Sequence, residues 1–320
     1  MDSFFDGGLR FDTGLEPPES TGDPNGLRLD PSISNFWDPN FTALELWIEA
    51  NRGQILGNFL GQNAGNWFNL LNQGIVRTGF SDSDTHQIFD VQSGFPRSYV
   101  ASPTDDPGAL AAIAETLAIN LNDGRLVGTN GPFMRVTLEG DPNEVGGLEL
   151  GLDPLVTATG GSATITVEIQ SPTWAEFDTV EYYVNSETIA DSTDRAGLPP
   201  LYRICPDFVQ SDPNDFSIST VPVNGSERLE ATTSLVLSGL TEDTWVVVMV
   251  RGTDDVSCPL FPVVPNDLDP NANPTLADLK ACASGDLGVT ALALSNPVFI
   301  DVDGNGDYDS TGVKLQGSCP

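Results

Sequence analysis

Two short stretches carry residue types that do chemistry. The first is Ser83-Asp84-Thr85-His86, which holds the only histidine of the chain. It follows Gly74-Ile75-Val76-Arg77-Thr78, an apolar-polar run that reads as a strand leaving a turn. Alternate residues of an extended chain share a face, so Asp-x-His at a strand end sets a carboxylate and an imidazole on one side. Both are ligands suited to Zn²⁺, Mn²⁺ or Fe²⁺. Taken alone, the motif is equally a polar loop with an incidental histidine. The second stretch is Asp301-Val302-Asp303-Gly304-Asn305-Gly306-Asp307-Tyr308-Asp309. It spaces oxygen ligands at alternate positions with glycine sixth, as a calcium loop does. Its twelfth position is Gly312 instead of glutamate, and the preceding Pro297-Val298-Phe299-Ile300 reads as a strand, so this is not an EF-hand. Two readings remain: a structural Ca²⁺ on Asp301, Asp303, Asn305, Asp307 and Asp309, or a turn satisfied by its own backbone.

Composition narrows the classes of partner. The 320 residues carry a formal net charge of -33, with Lys280 and Lys314 the only lysines. Such a surface repels phosphate backbones and excludes nucleic-acid binding. No apolar run reaches membrane-spanning length. The four cysteines, Cys205, Cys258, Cys282 and Cys319, lie in the C-terminal half without C-x-x-C spacing. An even number in one region fits two disulfides and an oxidising compartment, or four buried thiols. Met1-Asp2-Ser3-Phe4-Phe5-Asp6 has neither the basic nor the apolar part of a signal peptide.

The elements that must position these residues fall into two patterns. Residues 1 to about 40 are turn chemistry without periodicity, as in Glu16-Pro17-Pro18-Glu19. Phe41–Ile48 reads as a buried strand, and Asn63–Asn72, with Trp67, Phe68, Leu70 and Leu71, as an amphipathic helix. A second helix has Asp106 as N-cap, Pro107 in its first turn, Leu110, Ile113, Leu117 and Leu121 at helical spacing, and Gly124 at its end. Arg125–Thr129 is the next strand. Strand and helix alternate here, which argues for α/β with parallel strands. Beyond about residue 145 the period changes to two: Ala163–Ile169, Thr179–Val184, Ser217–Val223, Thr233–Leu240 and Thr244–Arg251 read as strands between turn signals, a β-sandwich pattern.

Four segments together resemble the PHP (polymerase and histidinol phosphatase) metallohydrolases, in their CehA/McbA-like group. They are Asn66–Gly74 running into Ser83-Asp84-Thr85-His86; Gly94-Phe95-Pro96-Arg97-Ser98-Tyr99-Val100; Asn122-Asp123-Gly124-Arg125 through Thr129-Asn130-Gly131-Pro132-Phe133; and Ser295–Gly306. The resemblance implies α/β plus all-β architecture: residues 1–145 as the C-terminal portion of a PHP-type β/α barrel whose N-terminal half is absent from this chain, then residues 146–320 as an Ig-like β-sandwich. It implies a metal-binding corner at Asp84 and His86 at the barrel mouth, for Mn, Zn or Fe. Arg97 is placed beside it, to pair with an anionic substrate or to form a structural salt bridge. Thr129 and Asn130 line the mouth or simply form a tight turn, and Glu45 matches a glutamate on an inner strand.

The early His-x-His and the Asn-His-Pro-Arg segment of that family do not occur here. The expectation is therefore a fragment or remnant of a divalent-metal-dependent hydrolase of phosphoesters or related esters. It would be inactive alone and need an upstream polypeptide to carry the rest of the barrel and its small-molecule substrate. The alternative is a non-catalytic extracellular β-sandwich module, for binding or structure, stabilised by calcium. Either full-length form is expected to be extracytoplasmic.

Overall fold

The computed structural model describes residues 41–48, 64, 67–68, 70–72, 74–83, 94, 96–139, 145–146, 152, 155–156, 161–186, 188–191, 201–204, 209–211, 216–252 and 291–310. In chain order its strands are β1 (Ala43–Ile48), β2 (Thr78–Asp82), β3 (Arg97–Val100), β4 (Leu126–Thr129), β5 (Phe133–Glu139), β6 (Val145–Gly146), β7 (Leu155–Val156), β8 (Ala163–Pro172), β9 (Thr179–Val184), β10 (Thr188–Asp191), β11 (Leu201–Ile204), β12 (Val209–Ser211), β13 (Ser219–Val223), β14 (Ser226–Leu237), β15 (Thr244–Arg251), β16 (Leu292–Ser295) and β17 (Val298–Asp301). A 3-10 turn, Pro107–Ala112, and the helix α1, Ala114–Asn122, stand between β3 and β4.

Two sheets dominate. The larger has eight strands in the order β12-β9-β15-β16-β4-β3, with β17 also on β15 and β7 on β17. The smaller runs β13-β14-β8-β5-β6. β1 and β2 form a parallel pair, and β10 and β11 an antiparallel one.

The alternating pattern of β5 and β8 decides how the sheets stack. Met134, Val136 and Leu138 with Ile165, Val167 and Ile169 turn one way, onto Val180, Tyr182, Val246, Val248 and Val250 of the larger sheet. Their neighbours Arg135, Glu139, Glu168 and Gln170 face solvent. β15 has no such alternation: Trp245-Val246-Val247-Val248-Met249-Val250 is buried throughout. A strand covered on both faces reads as a continuous apolar run. Its second face carries Trp245, Val247 and Met249, and it packs on Trp67, Phe68, Leu70, Leu71, Leu44, Leu46 and Trp47. Burying each such large side chain contributes about 1.5–3 kcal/mol, so this added layer is a principal source of stability. It lies close. A Cβ on Gly128 of β4 would sit 2.2 Å from Ser81 Oγ of β2, so only glycine lets the two strands approach.

The α/β reading with a partial β/α barrel is overturned. The described residues are mostly β-sheet, and no barrel closes among them. The reason lies in the β3–β4 connection. The expected parallel crossover runs from the Ile75–Thr78 strand through the helix to Arg125–Thr129, but the strand there is β2, Thr78–Asp82, which pairs with β1 and not with β4. A further strand, β3, intervenes, and β4 returns antiparallel beside it, with Arg97 opposite Thr129 and Val100 opposite Leu126. The intervening helix is no covering layer either. α1 buries none of its residues, whereas a barrel helix must bury an apolar stripe. The local signals were correct: Asp106 Oδ1 accepts from Gly108 N–H at 2.9 Å and Pro107 opens the turn. Both sheets draw strands from either side of residue 145: β4 pairs with β16, and β5 with β8. Among the described residues no helix is long and apolar enough to cross a membrane.

Candidate metal centre

β17 ends at Asp301, a fully buried residue, where the chain leaves the sheet into the Asp/Asn/Gly loop. The carboxylate organises that loop. Gly304 N–H donates to Asp301 Oδ1 at 2.6 Å, and Gly306 N–H donates to Oδ2 at 2.7 Å. Asn305 N–H donates to Asp303 Oδ1 at 3.0 Å, and the Asn305 amide bridges Asp303 Oδ2 (3.3 Å) and Asp309 Oδ2 (2.8 Å). Asn305 Oδ1 in turn accepts from Asp307 N–H at 2.7 Å.

The third carboxylate comes from elsewhere. β15 and β17 pair antiparallel with Thr244 opposite Ile300, and continuing that register by one residue sets Asp243 beside Asp301. Asp243, only 4% exposed, accepts from Val302 N–H through Oδ1 and from Asp309 N–H through Oδ2, both at 2.8 Å. Its own position is held by Asn185, whose amide donates to Asp243 O at 3.2 Å while Asn185 Oδ1 accepts from Trp245 N–H at 2.9 Å. Carboxylate oxygens of Asp243, Asp301 and Asp303 lie within 4.8 Å of one another. The result is a cup with two buried carboxylates as its floor and exposed Asp303 at its lip.

Tyr308 closes the inner side. Its ring lies 4.7 Å from that of Phe299, and its hydroxyl donates to Leu71 O at 3.4 Å, joining the loop to the added layer. Burial raises the Tyr308 pKa, and the negative charges of Asp243 and Glu242 raise it further. Among the described residues no lysine or arginine pairs with Asp243, Asp301 or Asp303. Two carboxylates this close repel by about 3 kcal/mol at an effective dielectric of about 20. A divalent cation removes that repulsion, and oxygen-only donors suit hard Ca²⁺ or Mg²⁺ rather than zinc or iron.

The residues singled out in the sequence are placed as follows. Asp301 and Asp303 converge. Asn305 and Asp309 join them through hydrogen bonds, and Asp307 is exposed and contributes its backbone N–H. Asp84 and His86 lie outside the described residues, as do Cys205, Cys258, Cys282 and Cys319. Arg97 opens β3, with Nε donating to Tyr99 OH at 3.2 Å, Nη1 donating to Gly94 O at 3.3 Å, and its guanidinium 5.1 Å from the Tyr99 ring centroid. Thr129 and Asn130 are fully buried and serve the turn between β4 and β5. The Thr129 hydroxyl lies against Pro132 O and Leu292 O, and Asn130 Oδ1 accepts from Leu292 N–H at 2.7 Å. Glu45 is half-buried on β1 opposite Phe80. Asp243 escaped the sequence reading because its only local signal is an acidic residue before a strand.

The segments that carried the family resemblance meet around one side chain. Asn296 donates through Nδ2 to Gly79 O at 3.0 Å and Leu126 O at 3.3 Å, and its Oδ1 accepts from Gly79 N–H at 2.8 Å. Ser98 Oγ bonds Ser81 N–H and O beside it. A scan against protein-family models gives no match, and a search of curated proteins gives none either. The PHP resemblance thus rests on its four segments alone.

Proposed function

We infer that the chain is a non-catalytic double-sheet module of an extracytoplasmic protein, built for structure or binding and stabilised by a calcium ion on Asp243, Asp301 and Asp303. The observation that carries this reading is the convergence of two buried carboxylates, one just before β15 and one at the end of β17, with a third, without a cationic partner among the described residues. Burying paired carboxylates is unfavourable unless a positive charge or strong hydrogen bonds offset it. Backbone N–H groups supply part of the offset here, and a cation supplies the rest. Calcium takes six to eight oxygens in flexible geometry, so three carboxylates open to water at Asp303 suffice. Extracellular modules bind calcium at about 10⁻⁴–10⁻³ M, an occupancy that needs millimolar surroundings. The ester-hydrolase reading took its site from a barrel mouth, and the two sheets stand in place of that barrel.

Isothermal titration of the chelator-treated chain with Ca²⁺ tests the reading. One site in that affinity range, absent from an Asp301→Ala variant that still melts cooperatively, is the expected result. A titration without binding heat and without any shift in melting temperature would remove the cation from the account.

A further inference from the structure

We propose that the outer edge of β14 is a self-pairing surface, through which two copies of this chain join their smaller sheets into one. The hairpin between β13 and β14 fixes which backbone groups face outward. Its two-residue loop, Asn224-Gly225, has positive φ at both positions, 50° and 86°, and Val223 pairs with Ser226 across it. In such a hairpin the flanking pair is the hydrogen-bonded one, so Ser226, Arg228 and Glu230 direct their N–H and C=O groups toward β13. By the same alternation Thr232, Ser234 and Val236 direct theirs to that side as well. β13 ends its pairing at Ser219 opposite Glu230, while β14 continues along β8 as far as Leu237. Among the described residues no strand pairs with this side of β14 beyond Glu230.

Strand edges are normally blunted by proline, charge, a bulge or brevity. The neighbouring edge follows that rule, because Pro222 occupies an outward position of β13 and offers no N–H. β6, at the opposite edge of the sheet, has two residues. Thr232–Leu237 has none of these protections: it is uncharged, free of proline, and in unbroken register with β8. Val236 there is 63% exposed.

The occupant follows from charge. A chain of net charge -33 repels its own copy nearly everywhere. Antiparallel pairing about Ser234 sets Ser234 opposite its copy and Thr232 opposite Val236, with Glu230 facing Ser238. No carboxylate opposes a carboxylate in that register, and β-branched residues meet across the strands. No carboxylate on Thr232–Val236 selects a basic strand instead.

Sedimentation equilibrium of the full chain across the micromolar range tests the proposal. A reversible dimer that tightens with added salt, as the repulsion is screened, is expected. Ser234→Glu and Ser234→Lys each place like charges face to face at an exposed position, which should weaken dimerisation by up to about 5-fold. Their equimolar mixture should restore association to the wild-type level or better, and this rescue cannot arise from misfolding. A wild-type chain that stays monomeric throughout, a dimer indifferent to both substitutions, or a mixture no better than its parts would each overturn the proposal. So would a monomer that instead captures an added extended basic peptide.

Discussion

Substituting Asp243→Asn sets two local effects of similar size against each other, and calcium decides between them. The carboxylate accepts Val302 and Asp309 N–H groups at 2.8 Å each. Asparagine keeps one acceptor and turns an NH₂ toward the other donor, a loss of about 1.5–3 kcal/mol for a hydrogen bond to a charged group. It also removes the repulsion between Asp243 and Asp301, whose oxygens lie within 4.8 Å, about 3 kcal/mol at an effective dielectric of about 20. In chelator the two nearly cancel, and the variant should melt close to the wild type. With free calcium at about 100 times its dissociation constant, the wild type gains about 2.7 kcal/mol by mass action, and the variant much less. For a chain of 320 residues that separates the two melting temperatures by about 3–4 °C. Differential scanning calorimetry in chelator, Ca²⁺ and Mg²⁺ reads this out, with Mg²⁺ the weaker stabiliser because it demands octahedral geometry and holds its waters. Equal calcium gains in both proteins would refute the assignment of Asp243 as a ligand, and a variant badly destabilised already in chelator would refute the balance.

Three further outcomes test the scaffold. Gly161 has φ +62° and an added Cβ would lie 2.2 Å from Leu240 O, so Gly161→Ala should lower stability by about 1–3 kcal/mol in urea unfolding. Trp245→Phe removes the indole N–H donated to Asn72 Oδ1 at 2.8 Å and leaves that buried amide short of a partner, about 1–3 kcal/mol by the same assay. Burial raises the Tyr183 pKa, helped by the charge and hydrogen bond of Glu181 and opposed by Arg251, and Tyr308 is raised too. The neutral phenols therefore favour the fold: their contribution is whole below about pH 10, the unfolded value, and is lost as pH rises through the higher folded values. Alkaline titration of tyrosinate absorbance should show the contributions of Tyr183 and Tyr308, identified by their loss in Tyr183→Phe and Tyr308→Phe variants, appearing only as the protein unfolds; their appearance in the folded protein would refute the burial argument.

Local order was legible in the sequence, and pairing at a distance was not. The period-two reading of Thr179–Val184 and Thr244–Arg251 gives strands with those bounds, although Thr244–Arg251 is buried on both faces and does not alternate. The caps of the segment from Asp106 to Gly124 were equally plain. Its apolar spacing marks the less exposed side, with Ile113, Leu117 and Leu121 half-buried and Leu110 46% exposed, but periodicity says that a face exists and not how deeply it is covered. β14 begins at Ser226, earlier than Thr233, since Glu227, Arg228 and Glu230 mask the alternation that the Asn224-Gly225 turn would have flagged. At the candidate site the Asp301 loop announced itself by spacing. Asp243 did not, because only the β15–β17 register brings it there.

The middle position of β16 has a consequence for how the chain is made. β16 bridges β15 and β4, and Thr129 of β4 reaches a carbonyl 163 residues away at Leu292. Contacts so distant in sequence form slowly, since the intervening loop must close before they contribute anything. On the ribosome, Trp67, Phe68 and Leu71 emerge long before the completed sheet face they cover. Until Leu292–Ser295 have been synthesised, that apolar surface stays open to other chains, and the nascent protein depends on charge repulsion or a chaperone to remain dispersed.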